Sequence, residues 1–500
     1  MVSNTPLLGT GGIIFMSLYF LSLIVIGLLG RAARKDDSMS DFYLAGRRMS
    51  LFILFLTLYA TQYSGVTMIG YAGKAYRDGY RFLVSVSFMM AVIGAYLLYA
   101  PKLYRLSRKK KFITTGDYFT HRYDNAPLKL ITSLIFIFAL GSYILTNLKA
   151  VGYIVESSTG GVIPFSWGVI AMSLIMVIYE TLGGMRSVAW TDAIQGVLLL
   201  LGCIFIFTVV EYQYGGLWLV STKIKEMHPE FWKPPDLEQK RLWLSTLMIV
   251  FCGIPLYPHA IQRIYSAKDE KTLARSFIIM VFMPLFTTLF MVIIGIVGAA
   301  QFPGLDRGES ERVVLILLSD ISNHIAGIGM LLVLFLCAAV AAIMSTVDSA
   351  LLSISSFFTQ DIYRPIRPNS HQAQLTRMGK IVSWLVMGLM TYLAMVLPQT
   401  IWRLVEIKLD LLSQAAPALF LGLHCKKLKS GAVLAGLVAG ICITVLIMTA
   451  HLIGNIFPAK PWGFHAGVWG LFVNFTTIGA VTIFQRKEKV DTSLTFRILL

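Results

Sequence analysis

The feature that most constrains this fold is a series of apolar runs, each close to the length of a membrane-crossing helix. The runs lie near residues 11–30, 50–72, 81–100, 128–155, 162–180, 187–210, 243–262, 276–300, 328–357, 378–397, 401–423, 431–452 and 465–485. About 20 apolar residues in a helix span the hydrocarbon core of a bilayer. The sequence therefore predicts an all-α polytopic membrane protein with about 13 transmembrane helices and no attached soluble domain.

Composition agrees with this class. Hydrophobic residues make up 56% of the 500 residues and charged residues only 14%, whereas soluble domains carry about 25% charged residues. The formal net charge of +17 could indicate binding to nucleic acid or to anionic lipid. The basic residues are concentrated in short loops between apolar runs, so they favour contact with the membrane. The five cysteines lie in or beside separate apolar runs without a CxxC pattern, which indicates helix packing and no metal or disulfide framework.

The basic residues also predict orientation, because cytoplasmic loops are enriched in Lys and Arg. Alternate loops carry Arg31, Arg34, Lys35, Arg47 and Arg48, then Lys102, Arg105 and Arg108 to Lys111, then Arg263, Lys268, Lys271 and Arg275, and later Lys426, Lys427, Lys429, Arg486, Lys487 and Lys489. We expect these loops inside, so the N-terminus is outside, the C-terminus is inside and the protein is a multi-pass protein of the cell membrane.

One apolar run carries an unusual density of polar side chains. The segment LFLCAAVAAIMSTVDSALLSIS, residues 334–355, contains Ser345, Thr346, Asp348 and Ser349 within about one turn, and Asp192 lies in another span. Polar and ionisable groups at membrane depth normally face a pathway or a bound ion. This pattern indicates cation-coupled transport.

Two spans are interrupted in corresponding ways. LTLYATQYSGVTMIGYAG contains Gly65, Gly70 and Gly73, and VFCGIPLYPHAIQR contains Gly253, Pro255 and Pro258. Proline breaks or kinks a helix, and paired broken helices indicate an inverted-repeat transporter with its site at the midplane. Glycine and proline are also common in membrane helices, which is the alternative explanation.

The breaks predict a division of the chain into five parts. Residues 1–49 supply an additional N-terminal helix and inner loop, 50–210 the first five-helix repeat, 211–242 an outer loop, 243–423 the second five-helix repeat, and 424–500 two additional helices and a short inner tail.

Four motifs then resemble one known family. DFYLAGRRMS (residues 41–50), GGMRSVAWTDAIQG (183–196), YPHAIQR (257–263) and AAIMSTVDSALL (341–352) are similar to motifs of the sodium:solute symporter family, and the resemblance runs from about residue 10 to 450. It implies a five-plus-five inverted-repeat core with extra helices at both ends. It also implies sodium-driven uptake of a small organic solute by alternating access.

The resemblance implies a main sodium site between the first broken helix and the polar span. Carried over to this sequence, its ligands are the carbonyls of Ala60, Tyr63 and Ala342 and the hydroxyls of Ser345 and Thr346. The alternative for adjacent Ser and Thr in a membrane helix is a hydrogen bond back to the carbonyl four residues earlier.

Some members of the family hold a second sodium ion, and the matching positions here are Asp192, Ser345, Asp348 and Ser349. The sialic acid carriers have serine where Asp348 stands. Two nearby carboxylates could strengthen the site or hold a proton, because such a pair raises one pKa. A water-bridged network lining the cytoplasmic exit is the alternative.

The solute is expected beside the first break, at Gln62, Ser64, Thr67 and Tyr143. Unpaired amides at the start of the following half-helix, together with the hydroxyls, would suit a carboxylate. Helix capping is the alternative for Gln62, Ser64 and Thr67. The arginine that helps bind sialic acid in its carriers is absent, since this chain offers only Ser142 or Tyr143 there, and sialic acid is therefore disfavoured.

The remaining intramembrane charges allow structural interpretations. We expect His259 and Arg263 at the cytoplasmic mouth, as a gate or as anchors to lipid headgroups. Glu406, Lys408 and Asp410 begin a span, where an ion network of the outer vestibule is the favoured interpretation.

These observations lead to a sodium-coupled symporter. A sensor of the same fold and a proton-coupled symporter are the alternatives. An enzyme is disfavoured because no P-loop, metal cluster or Ser/His/Asp constellation is evident. The expected partners are Na⁺, a small organic solute and membrane lipid, without nucleic acid or an obligate protein partner.

Overall fold

The computed structural model describes residues 9–33, 38–325, 328–397, 401–454 and 458–498, and within these ranges it is helical with no β-strand beyond one isolated bridge. Arg34 and Lys35 of the first predicted inner loop lie outside the described residues. We number the helices of the bundle as follows: α1 Thr10–Ala32, α2 Leu51–Gln62, α3 Tyr71–Asp78, α4 Val84–Lys110, α5 Ala126–Ser158, α6 Phe165–Gln213, α7 Leu237–Gly253, α8 Pro258–Ser266, α9 Glu270–Met280, α10 Thr288–Gln301, α11 Val313–His324, α12 Gly329–Phe357, α13 Gln372–Val396, α14 Ile401–Leu412, α15 Ala416–His424, α16 Ser430–Gly454 and α17 Ala466–Ile498.

The all-α membrane architecture predicted from the sequence is confirmed. Within the described ranges, nine helices are long and apolar enough to cross a membrane, or ten if the bent pair of α7 and α8 is counted as one span. The predicted number of 13 remains a prediction, as does the orientation. The difference arises because some predicted spans are divided: α2 ends at a break, and α14 and α15 are separate short helices.

Both predicted helix breaks are present. α2 ends at Gln62, Tyr63 has an extended backbone (φ −102°, ψ 117°), and a single π-helical turn, Val66–Gly70, leads into α3. In the second case, α7 and a short 3₁₀ turn at Ile254–Leu256 precede α8, and the chain bends there by 51°. Proline cannot donate the helical hydrogen bond, which explains the second break at Pro255 and Pro258.

α6 contains two predicted spans in one bent helix. Gly184, at φ 64° and ψ −155°, interrupts the helical backbone, a conformation that favours glycine. A Cβ at this position would lie 2.6 Å from the ring of Phe42. The bend therefore separates the part of α6 that contains Tyr179 from the part that contains Asp192.

α12 is the central helix of the bundle. In the apolar part of α12, 94% of the residues are buried within the protein, whereas in the apolar part of α13 only 28% are buried. α12 contacts α6, α5, α2 and α1. Its polar side chains are therefore surrounded by other helices and not by lipid.

Candidate functional site

The first helix break is held between α5 and α12. The amide of Gly65 donates to Oδ1 of Asn147 at 2.9 Å. A Cβ on Gly65 would lie 2.6 Å from Cγ1 of Ile343 and 2.8 Å from Cβ of Ala150. The missing side chain of Gly65 thus lets the break approach both neighbouring helices closely.

The two breaks border one cavity of about 410 Å³. The first break and the turn after it contribute one wall, the second break contributes another, and α14 closes the side between them. The lining residues are Gln62, Ser64, Val66, Thr67, Tyr71, Met89, Tyr143, Ile254, Tyr257, Val405, Lys408 and Leu409. Aromatic and apolar side chains with a few polar groups among them are the typical lining of a site for a small organic molecule.

All four residues predicted to contact the solute line this cavity. The Gln62 side chain accepts a hydrogen bond from Tyr96 at 3.4 Å, and the hydroxyl of Tyr143 donates to the carbonyl of Thr61 at 3.4 Å. Ser64 Oγ also accepts from the amide of Val66 at 3.2 Å, so Ser64 both caps the turn and faces the cavity.

The expectation of unpaired amides beyond the break is wrong. The amide of Gly65 donates to Asn147, and that of Val66 to the Ser64 side chain. The amides of Thr67 and Met68 both donate to the carbonyl of Ser64, at 2.9 and 3.1 Å. The amides of residues 65–68 are therefore all paired, so an anionic solute would need another group to bind its charge.

The predicted main sodium site contains oxygen atoms without hydrogen-bond donors. In the described ranges, no amide or side chain donates to the carbonyls of Ala60 and Tyr63. Ser345 is fully buried and its hydroxyl has no partner there. Thr346 makes the alternative bond, since its hydroxyl donates to the carbonyl of Ala342 at 2.9 Å, but the Thr346 oxygen keeps lone pairs that could face an ion. These neutral oxygens fit a monovalent cation.

Three of the four residues predicted for a second sodium site lie around Arg263. One nitrogen of the guanidinium, Nη2, lies 2.7 Å from Asp192 Oδ2 and also donates to the Ser349 hydroxyl. The Ser345 side chain lies beside Asp192, whose other oxygen, Oδ1, has no partner among the described residues. Arg263 is fully buried, so an anchor to lipid headgroups is excluded.

Asp348, the fourth residue of that set, lies in a different environment. It accepts a hydrogen bond from the Tyr179 hydroxyl of α6, and no contact with Asp192 is present in the described ranges. In a helix, Ser345 and Ser349 are four residues apart and share a face. Asp348 is rotated away from that face, toward the first half of α6.

Lys408 lines the central cavity, although the sequence predicted a role for it outside the solute site. It was expected in an ion network with Glu406 and Asp410, yet it is buried and lines the cavity. Helical spacing could have predicted this difference. Glu406 and Asp410 are four residues apart and share a face of the helix, whereas Lys408 lies two residues from each and therefore points elsewhere. Tyr71 and Tyr257 are further lining residues that the sequence analysis did not identify.

Three aromatic rings separate this cavity from a second one. Tyr71, Phe82 and Trp402 have ring centroids 5.2–5.8 Å apart in edge-to-face contacts. Tyr71 lines the central cavity, while Phe82 and Trp402 line a neighbouring cavity of about 380 Å³ that also contains Lys74 and Glu406.

Two broken helices that meet at one cavity inside a helical bundle define a class of membrane transporter. Buried carbonyl oxygens that accept no hydrogen bond in the described ranges lie at the first of these breaks. The protein is therefore a multi-pass secondary transporter of the cell membrane and not an enzyme.

The model of the sodium:solute symporter family matches residues 42–440, and the chain belongs to that family. It is 27% identical over 452 residues to the sodium/proline symporter of Staphylococcus aureus (strain bovine RF122 / ET3-1), covering 87% of this chain and 85% of that protein. It is 27% identical over 436 residues to the sodium/pantothenate symporter of Escherichia coli (strain K12), with coverage of 85% and 88%.

A solved structure has the same fold. An outward-open Na⁺-coupled sialic acid symporter superposes with a TM-score of 0.77, covers 95% of this chain and 98% of its own, and is 20% identical. The five-plus-five inverted-repeat fold expected from the sequence agrees with this similarity.

Proposed function

We propose that this protein couples Na⁺ binding at the first helix break to the transport of a small carboxylate-bearing solute into the cell, bound in the adjacent central cavity. The observation that carries this proposal is that no donor contacts the carbonyls of Ala60 and Tyr63 in the described ranges, while the buried Ser345 hydroxyl makes no hydrogen bond within 3.5 Å and lies beside Asp192. A buried polar atom without a partner costs about 1–3 kcal/mol. A bound cation would remove that cost.

The ligands that we propose for this ion are the carbonyls of Ala60, Tyr63 and Ala342 and the hydroxyls of Ser345 and Thr346. All five are neutral oxygens, which hold a monovalent ion without a compensating carboxylate. Two of them belong to the broken helix and three to α12, so the ion would join the break to the central helix.

Tyr143 provides a contact between the ion site and the solute cavity. Its ring lines the cavity, while its hydroxyl reaches the Thr61 carbonyl at the break and lies beside Ser64 and Thr346. An ion that fixes the break would therefore also fix one wall of the solute site. This shared wall gives a physical route for each ligand to raise the affinity of the other.

The second sodium site stays a prediction with fewer supporting contacts. Asp192 Oδ1 and the Ser345 hydroxyl keep free lone pairs, but Arg263 already supplies a positive charge to Asp192. Asp348 pairs with Tyr179 instead. These pairings support the main site over the second as the coupling site.

A binding screen tests the proposed function. The full-length protein in detergent is heated with monocarboxylates, amino acids and sugars, each at matched ionic strength in Na⁺ and in choline. A ligand at a hundredfold excess over Kd stabilises a protein by about 2.7 kcal/mol. We expect carboxylates to raise the unfolding temperature in Na⁺ and to have little effect in choline.

Two outcomes would contradict the proposal. The first is a solute that stabilises the protein equally in Na⁺ and in choline. The second is a set of Na⁺-dependent ligands that contains no carboxylate.

A further inference from the structure

Lys408 places one buried ammonium group at the wall of the solute cavity. The residue is 1% exposed and lies on α14 between Val405 and Leu409, which also line the cavity. Its Nζ is 3.9 Å from the ring centroid of Tyr143 and 5.8 Å from that of Tyr257. These two rings are stacked with their centroids 5.0 Å apart, so the ammonium group lies on an aromatic platform.

The neighbouring charges on α14 are already paired with other groups. Glu406 contacts Lys460 at 2.7 Å and Arg403 at 3.1 Å. Asp410 accepts the amide of Gly467 at 3.0 Å. Both carboxylates therefore have partners away from the cavity, and neither pairs with Lys408.

Lys408 lacks an anionic partner of its own. Within the described ranges it makes no ion pair and donates no hydrogen bond, and the cavity lining contains no Asp or Glu. A buried ammonium ion costs several kcal/mol unless it is paired. A cation–π contact is weaker than an ion pair at the same depth, so the two tyrosine rings offset only part of this cost.

We infer that Lys408 binds the anionic group of the transported solute and makes the cavity selective for small monoanions that lack an ammonium group. This inference rests on the proposed function and names its solute class. A monocarboxylate supplies the missing charge and hydrogen-bond acceptors. A zwitterionic amino acid would also bring an ammonium group into a cavity where, among the described lining residues, the one charged side chain is a lysine.

The solute would lie against residues already identified from the sequence. The hydroxyls of Ser64 and Thr67 and the amide of Gln62 line the same cavity and can hydrogen-bond the uncharged part of the solute. The group that binds the charge of the solute is thus on α14, and the groups that bind its uncharged part are at the first break. In the part of the chain that the structure describes, the amides of residues 65–68 are all paired, and Lys408 is the charged group of the cavity lining that can hold the carboxylate.

The test uses thermal unfolding of full-length protein in saturating Na⁺. The probes are pyruvate with pyruvamide, pantothenate with its alcohol pantothenol, L-proline, a series of two- to six-carbon monocarboxylates, and chloride alone. We expect at least one monoanion to bind about thirtyfold or more tightly than its neutral analogue and than L-proline, since removing one partner of a buried charge pair leaves the other charge unpaired. Chloride separates a bound solute carboxylate from a simple inorganic anion.

Lys408→Met removes the charge and keeps much of the side-chain volume. It is expected to bind the monoanion about thirtyfold or more weakly, close to the affinity for the neutral analogue, while the stabilisation by Na⁺ alone remains as in the wild type. Lys408→Arg retains a positive charge and keeps the preference for the acid. The matched control is Lys149→Met on α5, because Lys149 is buried but donates to the carbonyl of Leu397 and does not line the cavity.

Several outcomes would overturn the assignment. In the wild type, these outcomes are a neutral analogue or L-proline that binds as tightly as every monoanion, no binding of any monoanion, or binding of chloride alone. In Lys408→Met, the contradicting outcome is an unchanged affinity for the acid. If Lys408→Met does not fold, binding to Lys408→Arg tests the inference instead. A Lys408→Arg variant that no longer prefers the acid to its neutral analogue contradicts the inference. Failure of the proposed function would appear separately, as an absence of Na⁺-dependent stabilisation in the wild type.

Discussion

Asp192→Leu is expected to lower the free energy of unfolding by about 3–5 kcal/mol, because it leaves a fully buried arginine without its counterion. Arg263 Nη2 lies 2.7 Å from Asp192 Oδ2, and Arg263 Nε lies 2.9 Å from the Thr57 hydroxyl. A guanidinium cannot neutralise itself by losing a proton. The uncompensated charge would therefore persist in the folded protein.

The partner variants make this prediction specific to the ion pair. Arg263→Met should cost less than Asp192→Leu, because a carboxyl group can take up a proton and become neutral. The double variant Asp192→Leu/Arg263→Met should recover most of the loss, since apolar replacement of a whole buried pair is often neutral or stabilising. Thermal and denaturant unfolding in detergent measure all three.

A partly exposed ion pair provides the control. Arg312 and Glu156 are 2.8 Å apart with side chains 38% and 27% exposed, so Arg312→Met should cost less than about 1 kcal/mol. Wild-type stability of Asp192→Leu would contradict the prediction. So would a double variant whose loss equals the sum of the two single losses.

Ser345→Ala and Thr346→Ala are each expected to weaken Na⁺ binding about tenfold or more. Each removes one neutral oxygen from a small coordination shell, and about 1.4 kcal/mol corresponds to a tenfold change. Ser345→Ala should also be well tolerated without Na⁺, because its hydroxyl has no partner within the described ranges. Na⁺ titrations of the unfolding temperature give the affinities, and solute binding at saturating Na⁺ should change less.

Ser355 of α12 is the matched control for these two variants. It is buried on the same helix, and its hydroxyl donates only to the carbonyl of Leu352, at 2.9 Å. Ser355→Ala should keep the wild-type Na⁺ affinity. Equal Na⁺ affinity in the wild type, Ser345→Ala and Thr346→Ala would remove this site from the account.

The helix breaks and the residues beside them could be predicted because the information is local. Glycine at position 65 permits backbone conformations and close contacts that other residues do not, and proline at 255 and 258 restricts the backbone wherever it occurs. Gln62 lies just before the first break and Ser64 and Thr67 lie just after it, and all three line the cavity. Local chemistry was therefore enough to find one wall of the site.

The partners of buried charges could not be predicted, because they depend on helix rotation and on contacts between distant segments. Arg263 and Asp192 are 71 positions apart in sequence, and no spacing rule connects them. Asp348 and Ser349 are adjacent, yet one contacts Tyr179 and the other Arg263. Lys408 has charged neighbours two positions away on both sides, but its own side chain lies on the cavity side of α14.

Uptake into liposomes tests the central claim of sodium-coupled transport most directly. The purified protein is reconstituted, and uptake of the Na⁺-dependent solute found in the screen is followed under an inward Na⁺ gradient, an inward H⁺ gradient, or neither. We expect accumulation above the external concentration only with the Na⁺ gradient, and its collapse when a Na⁺ ionophore is added. Uptake that is equal without Na⁺, or that an H⁺ gradient drives equally well, would contradict the account.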